Sequence, residues 1–154
     1  MHREMRRSDR AITPEEAYEI LVNGEYGVLS LAGDDGQPYG VPISYAVVEN
    51  VIYVHAAKTG QKLDLIAQNS KVAFTVVGKT TVLPGKFSTE YESVMAFGMA
   101  TEISGDEKED ALYALIKKYS PDFLEEGKAY INRAGDATTV IKIVIDHFTG
   151  KARR

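Results

Sequence analysis

The segment from Tyr26 to Ala56 limits the possible folds of this chain more than any other stretch. Asp35-Gly36 supplies residues that tolerate positive φ, which is the strongest short hairpin signal, and Glu49-Asn50 makes a second tight turn. Strands joined by such short connections pair antiparallel, so the segment predicts a three-stranded meander. Its three strands are predicted over Tyr26 to Ala32, Tyr39 to Val48 and Val51 to Ala56.

The rest of the chain alternates between helical and strand patterns. Thr13 is a suitable N-cap, Pro14 takes the first helical position and Glu16 stands three residues after the cap, which is typical of a helix start. Gly24 can supply a left-handed stop for this helix. Further helices are predicted over Thr59 to Gln68, Asp106 to Tyr119 and Phe123 to Ile131, and further strands over Lys71 to Val77, Ser93 to Ile103 and Thr138 to Asp146.

The predicted elements amount to six strands, which are too few for two complete sheets. The final strand is so rich in valine and isoleucine that both of its faces must be largely covered. Closing the sheet into a small antiparallel barrel removes its unpaired edges and leaves the helices at the periphery. Because 154 residues is the usual size of one domain, residues 1–154 are predicted to form a single domain.

The connection between the fourth and fifth strands is long for a hairpin. Residues 79–92 include Pro84-Gly85 and several Ser and Thr residues, which predicts an irregular loop. Long loops without secondary structure are often functional. The segment is therefore a candidate rim for a ligand site.

Charge and composition argue against several classes of function. The net charge of −4 repels nucleic acid and anionic lipid, so neither partner is expected. Cysteine is absent and the three histidines show no ligand spacing, so no metal site is predicted. No signal peptide and no bilayer-spanning apolar run are evident, which favours a cytoplasmic protein. The basic residues at the two ends are interpreted as solvated, unless one of the arginines reaches a phosphate.

The turn between the third strand and the second helix has the composition of an anion site. The sequence Tyr53-Val-His-Ala-Ala-Lys-Thr-Gly-Gln-Lys62 runs from the strand into the helix. The free amides of the helix start, the Thr59 hydroxyl, Gly60 and the Lys62 ammonium would converge on a phosphate. The residues alone equally allow Lys58 and Lys62 to be exposed cations and Thr59 to be only an N-cap. The glycine spacing of a nucleoside triphosphate loop or of a dinucleotide fingerprint is missing.

The stretch Gly40-Val-Pro-Ile-Ser-Tyr45 is also irregular for a strand. Pro42 removes one donor from the strand ladder and is tolerated mainly at an edge or a bulge. An irregular strand frees neighbouring amides and carbonyls, which a flat heteroaromatic ring could use. The simpler interpretation of this stretch alone is an edge strand with no ligand.

Taken together, these segments resemble the pyridoxamine 5'-phosphate oxidase-like FMN-binding split barrels, and most closely the branch of 5-nitroimidazole resistance proteins. The resemblance extends from about Met5 to Ile103 and continues weakly into the final strand. It implies a mainly β fold with α-helices, a six-stranded antiparallel split β-barrel with peripheral helices, that binds FMN as a homodimer. The residues that carry it are MRRSDRAI, GVLSLAGDDGQPYGVPISYAV, VIYVHAAKTGQKLDLI and YESVMAFGMA.

The resemblance also implies roles for individual residues. The strand from Val41 to Ser44 would lie beside the isoalloxazine ring, and Lys62 would contact the FMN phosphate with help from Gln61. The oxidases carry a basic residue at the position of Gln61, so another donor would be needed, either Lys58 or an N-terminal arginine. Ser93 matches a glutamine that faces the flavin in the oxidases. The implied cofactor-binding residues are Val41, Pro42, Ile43, Ser44, Lys58, Thr59, Gly60, Gln61, Lys62 and Ser93.

His55 stands at the end of its strand, next to the proposed phosphate turn. A lone strand histidine is usually structural, but the 5-nitroimidazole resistance branch is similar here and has a histidine near the flavin. The resemblance therefore implies a catalytic role for His55. With an ordinary pKa near 6.5, its side chain could donate a proton to a substrate at neutral pH.

The implied function is that of an FMN-dependent oxidoreductase acting on a small molecule. The nearest branch suggests a nitro compound such as a 5-nitroimidazole, reduced to the amine. Oxidation of pyridoxamine phosphate is disfavoured, because the basic substrate-binding residues of that enzyme have no evident counterpart in the C-terminal sequence. Two alternatives stay open, namely a flavin-binding protein without turnover and a haem-binding relative on the same barrel.

Overall fold

In a computed structural model that describes residues 2–154, the chain forms seven β-strands and four α-helices. The strands are β1 (Gly27–Ala32), β2 (Pro38–Ile43), β3 (Ala46–Val48), β4 (Val51–Ala57), β5 (Lys71–Leu83), β6 (Ser88–Ile103) and β7 (Thr138–Arg153). The helices are α1 (Pro14–Asn23), α2 (Gln61–Gln68), α3 (Gly105–Tyr119) and α4 (Leu124–Ala134). All strands pair antiparallel in one sheet of order β2-β1-β5-β6-β7-β4-β3, as the predicted antiparallel fold requires.

The strand predicted over Tyr39 to Val48 is in fact two strands, so the predicted total of six was wrong. β2 pairs with β1 whereas β3 pairs with β4, and the chain passes from one pair to the other at Ser44 and Tyr45. The two outermost strands of the sheet are therefore joined by only two residues. The sheet must curl until its edges meet without pairing, which is the arrangement of a split barrel.

The interior of this curled sheet is the main hydrophobic core. Inward-facing side chains of the strands fill it, among them Leu29, Phe74 and Ile141, each fully buried. Leu21 of α1 enters the same core, and Leu63 of α2 packs against it. Because side chains alternate along a strand, the intervening positions form an outer face, which points away from this core.

The start of α1 agrees with the prediction, but its end does not. The Thr13 Oγ1 accepts a hydrogen bond from the Glu16 N–H at 3.2 Å, and Pro14 is the first helical residue. Gly24 has a φ of −63° and is not left-handed. A glycine is needed there for a different reason, because a Cβ would collide with the hydroxyl of Tyr45.

The irregular loop predicted over residues 79–92 is instead the end of a long hairpin. β5 and β6 stay paired from Thr80 opposite Tyr91 to Leu83 opposite Ser88, after a register shift that follows Val77. Threonine, valine and tyrosine suit a pleated strand, and their pairing outweighs the turn-like composition. No irregular rim therefore exists at this position.

The C-terminal basic residues belong to the folded structure, and the side chain of Arg154 is still 56% exposed. Lys151 and Arg153 belong to β7 and pair with β6. Arg154 makes an ion pair of 2.8 Å with Glu16. At the other end of the chain, Arg10 donates a hydrogen bond of 3.3 Å to the Tyr91 hydroxyl.

Two of the helices lie at the periphery of the sheet. Ala111 of α3 packs against Tyr53 and Val140 on the outer face, in a small second core. α4 packs against α3, where a Cβ at Gly127 would collide with Ile116. Within residues 2–154, no helix combines the length and the apolar character needed to cross a membrane.

Candidate functional site

The strand predicted to lie beside a flavin ring is the end of the edge strand β2 and the residue after it, Ser44. Val41 and Ile43 turn their side chains against the core, whereas Pro42 and Ser44 are exposed. Pro42 lies opposite Val28 of β1, and within residues 2–154 β2 has no strand on its other side. A strand proline is tolerated at such an edge. A ligand here would meet mainly backbone groups, with Pro42 and Ser44 as the accessible side chains.

The split of the barrel lies between the end of β2 and the end of β4. Pairing of β3 with β4 stops at Ala46 opposite Tyr53, while β4 continues to Ala57 paired only with β7. Extending the antiparallel register would place Ser44 opposite His55, but β2 has turned away to pair with β1. Backbone groups on both sides of the split are therefore not used by a common ladder.

The turn that follows β4 has the geometry of an anion-binding loop. Gly60 precedes α2 with a φ of +152°, a conformation that favours glycine. An added Cβ at Gly60 would meet no atom within 4 Å, so the space above the turn is open. The first helical hydrogen bond runs from the Asp64 N–H to the Gly60 carbonyl at 3.2 Å. The amides of residues 61–63 precede that bond and are free to point at an anion.

The side chains of this turn differ in exposure. Lys58, Thr59, Gly60 and Gln61 are exposed, and Lys62 is half-buried. Thr59 lies one residue outside the helix cap and makes no capping hydrogen bond, so the interpretation of Thr59 as an N-cap is wrong. α2 begins at Gln61, two residues later than predicted, and this leaves the Thr59 hydroxyl available to a ligand.

His55 and Lys62 interact electrostatically across the turn. Two effects lower the pKa of His55 below its ordinary value of 6.5. The larger is partial desolvation of the imidazole by neighbouring atoms, and the smaller is the positive charge of Lys62. The shift occurs although the residue as a whole is exposed. The lowered pKa favours the neutral form of the imidazole at pH 7. A bound anion near both groups would offset the charge of Lys62 and raise the pKa of His55.

Ser93 is not brought to this turn within one chain. It lies on the outer face of β6, opposite Lys151 of β7, whereas His55 lies opposite Val140 of the same strand. Eleven positions along β7 separate these two partners, which corresponds to roughly 35 Å at about 3.3 Å per residue. Ser93 can contact a ligand at the turn only if it comes from another copy of the chain.

The outer face around Ser93 is only partly covered and includes exposed apolar side chains. Val77 is 58% exposed and Met95 is 43% exposed. The N-terminal segment crosses part of this face, where the His2 ring stacks on His147 with 4.5 Å between centroids. Within residues 2–154, no three His, Asp or Glu side chains form a group that could hold a metal ion.

Two residues that border the split were overlooked by the sequence analysis. The Tyr119 hydroxyl accepts a hydrogen bond from the Tyr45 N–H, and the Lys118 ammonium donates one to the Tyr45 carbonyl. Both residues belong to the last turn of α3, which its pattern identifies only as an amphipathic helix. No local signal reveals them, because their partner is more than seventy positions away.

Comparison with known proteins gives one family and several relatives of the same fold. Residues 13–152 match the family model described as pyridoxamine 5'-phosphate oxidase. An uncharacterised protein of Rhizobium meliloti (strain 1021) is 32% identical over 85 residues, which are 51% of this chain and 55% of that protein. The match thus spans about half the length of this curated relative.

Solved structures share the architecture over nearly the whole chain. A candidate 5-nitroimidazole antibiotic resistance protein from Bacteroides thetaiotaomicron VPI-5482 is similar with a TM-score of 0.79 and 23% identity, over 92% of this chain and 86% of that protein. A FAD and haem binding protein from Mycobacterium smegmatis is similar with a TM-score of 0.80 and 23% identity, over 92% of this chain and 72% of that protein. At these identities the similarity establishes the fold alone.

Proposed function

Because the chain belongs to the pyridoxamine 5'-phosphate oxidase family, a family of flavin-binding proteins, we propose that it binds FMN and acts as an oxidoreductase. A bound flavin supplies the electron-transfer chemistry, and the protein supplies binding and orientation. The proposed substrate is a small nitroaromatic compound such as a 5-nitroimidazole, reduced to the amine and two molecules of water with six electrons and six protons, the electrons supplied two at a time by three equivalents of NADH or NADPH through the flavin. The description of the Bacteroides protein with this fold supports that choice of substrate.

The meeting of Lys62, His55 and the first amides of α2 at one edge of the split carries the cofactor proposal. Lys62 is half-buried and makes no ion pair with any of residues 2–154, so its charge is available to a phosphate. The open space above Gly60 leaves room for one. The residues present therefore fit a phosphorylated ring system whose phosphate lies at the turn.

The same features favour FMN over FAD. The phosphate of FMN is a terminal monoester with a second ionisation near pH 6, so close to two negative charges lie on one phosphate, whereas the diphosphate of FAD carries one charge on each of its two phosphates. A cation and a set of free amides stabilise the more negative group better. Gln61 adds a neutral donor where the oxidases carry a basic one, and Lys58 is the exposed cation that can take its place.

We assign His55 to proton transfer. Its neutral imidazole at pH 7 can hold a proton on one nitrogen and accept at the other. The negative charge of a phosphorylated cofactor would raise its pKa toward neutrality, where a group that exchanges protons is most effective. The role requires His55 to affect turnover more than cofactor binding.

A homodimer is part of the proposal. The exposed apolar side chains of Val77 and Met95 on the outer face are suited to burial against a second copy of the chain. Ser93 lies on that face and is too far from the turn of its own chain to reach a ligand there. A second copy would bring it closer to the flavin ring of its partner.

The test is the absorbance spectrum of the purified protein, followed by identification of the released cofactor by chromatography. Flavin bands, FMN in the released fraction and bleaching by NADH or NADPH, with reoxidation by a 5-nitroimidazole, would support the full proposal. A yellow protein that is inert to both nicotinamides would leave a flavin-binding protein without turnover. A Soret band without flavin bands would favour haem over FMN; the similar Mycobacterium smegmatis protein binds both FAD and haem.

A further inference from the structure

The backbone of Tyr45 occupies an unusual position in the sheet. It lies where the chain leaves β2 and enters β3, so neither of the two ladders includes it. The residue is nevertheless fully buried. A buried N–H and C=O without ladder partners must find other partners or cost stability.

The last turn of α3 supplies those partners. The Tyr119 Oη accepts from the Tyr45 N–H at 3.0 Å, and the Lys118 Nζ donates to the Tyr45 carbonyl at 2.9 Å. The single Tyr119 proton is best placed for the Glu25 carbonyl at 2.6 Å, the shorter of its two acceptor contacts. Tyr119 therefore ties the Tyr45 backbone to the segment that leads into β1.

The Lys118 side chain makes a second contact with Tyr45. Its Nζ lies 3.6 Å from the centroid of the Tyr45 ring, a cation–π contact, and makes no ion pair with any part of the chain that the structure describes. Burial lowers the pKa of Lys118 to about 8, so the ammonium is held at a cost. Lys118 thus differs from an ordinary surface lysine, because it is half-buried and both of these contacts are with Tyr45.

The Tyr45 side chain is held by packing, because its ring lies in the core against Phe74 and its hydroxyl donates to the Leu21 carbonyl. A cleft of about 820 Å³ lies between Ser44, β3 and the end of α3, and Lys118 and Tyr119 line it. On the side of this cleft, polar contacts from Lys118 and Tyr119 hold the Tyr45 backbone, in addition to the packing of its ring.

We propose that Lys118 and Tyr119 are positioning residues that hold the Tyr45 backbone in place, and so keep the ends of β2 and β4 apart where the flavin would bind. The positions of the strands depend on the contacts of Tyr45 with Lys118 and Tyr119. The identity of the ligand in the split rests on the proposed function.

The experiment combines two measurements on the full chain. Amide hydrogen exchange by mass spectrometry on the flavin-free protein reports the opening of residues 41–46, and fluorescence titration reports the dissociation constant of FMN. Tyr119→Phe removes the hydroxyl and keeps the ring, and Lys118→Met removes the charge at similar volume. Lys117→Met is the matched control, because Lys117 is the neighbour of Lys118 on α3 and also lines the cleft, but its ammonium lies over the Tyr113 ring and the hydrogen bond to the Tyr45 carbonyl comes from Lys118.

We expect faster exchange at residues 41–46 and about five- to tenfold weaker FMN binding in both variants, with the Lys117→Met protein unchanged. Lys118→Arg should restore most of the affinity, because a guanidinium can still donate to the Tyr45 carbonyl. Wild-type exchange and wild-type affinity in both variants would overturn the inference. If the wild-type protein bound no flavin, the proposed function would fail, and the exchange data alone would decide whether these residues position the strands.

Discussion

Replacement of Lys62 by alanine is the sharpest perturbation of the proposed phosphate turn. A hydrogen bond to a charged group contributes about 1.5 to 3 kcal/mol. Lys62 is half-buried, so solvent screens part of its charge and the lower part of that range applies. A loss of about 1.5 to 2 kcal/mol corresponds to FMN binding that is about 10- to 30-fold weaker.

Comparing the affinities for FMN and riboflavin isolates the contribution of the phosphate to binding. Riboflavin has the same ring system without a phosphate, so Lys62→Ala should leave its affinity within about twofold of the wild type while that of FMN falls. The assay is the quenching of flavin fluorescence at low ionic strength, where a charged contact is least screened. The preference for FMN over riboflavin should thus shrink in the variant.

The control removes the same charge elsewhere. Lys86 is exposed in the turn between β5 and β6, so Lys86→Ala should bind both flavins as the wild type does. Equal weakening of FMN and riboflavin by Lys62→Ala would mean that Lys62 supports the ring or the fold. An unchanged FMN affinity would refute the assignment of the turn.

Three further predictions follow from the same structure. His55→Asn should reduce the rate of nitroaromatic reduction far more than FMN affinity in steady-state and binding assays, and an equal loss of both would make His55 structural. Lys118 releases its proton at a lower pH in the folded chain, near 8, than in the unfolded chain, near 10.5, so the cost of burying its ammonium disappears as the pH rises between these values. The melting temperature of the wild type relative to Lys118→Met should accordingly increase from pH 8 to pH 10.5, and a constant difference would contradict the lowered pKa. Phe74→Ala should reduce the free energy of unfolding in urea by about 3 to 5 kcal/mol, because Phe74 is fully buried in the barrel core, and a loss below about 1 kcal/mol would count against that placement.

Local turn chemistry was enough to predict much of the sheet. Asp35-Gly36 and Glu49-Asn50 make the two hairpin turns as expected, with φ of +76° at Gly36 and +53° at Glu49. These turns depend on residues next to each other, which a sequence displays directly. Thr13 and Pro14 predicted the start of α1 for the same reason.

The errors lie where distant residues decide the backbone. The division of β2 from β3 depends on Tyr119 and Lys118, which contact Tyr45 from 74 and 73 positions away. The segment after Val77 becomes a strand because the start of β6 pairs with it. Neither effect can be read from the local sequence, because the same residues are equally compatible with a continuous strand at Tyr45 and with a loop after Val77.

The candidate site was likewise predictable only where its residues are contiguous in the sequence. The residues from Lys58 to Lys62 are contiguous, so a sequence can show that they share a turn, and the structure adds His55 as a neighbour of Lys62. Ser93 could be matched only by resemblance, and its distance from the turn follows from the register of β6 on β7. Its place in a site remains a prediction about two copies of the chain.

The central claim is that the turn opening α2 holds the phosphate of a flavin. Native mass spectrometry of the protein, incubated with equal amounts of FMN and riboflavin and then desalted, tests it most directly. The expected result is a dimer that carries FMN on each chain, with little or no riboflavin. A spectrum without bound flavin, or with both flavins retained equally, would contradict the claim.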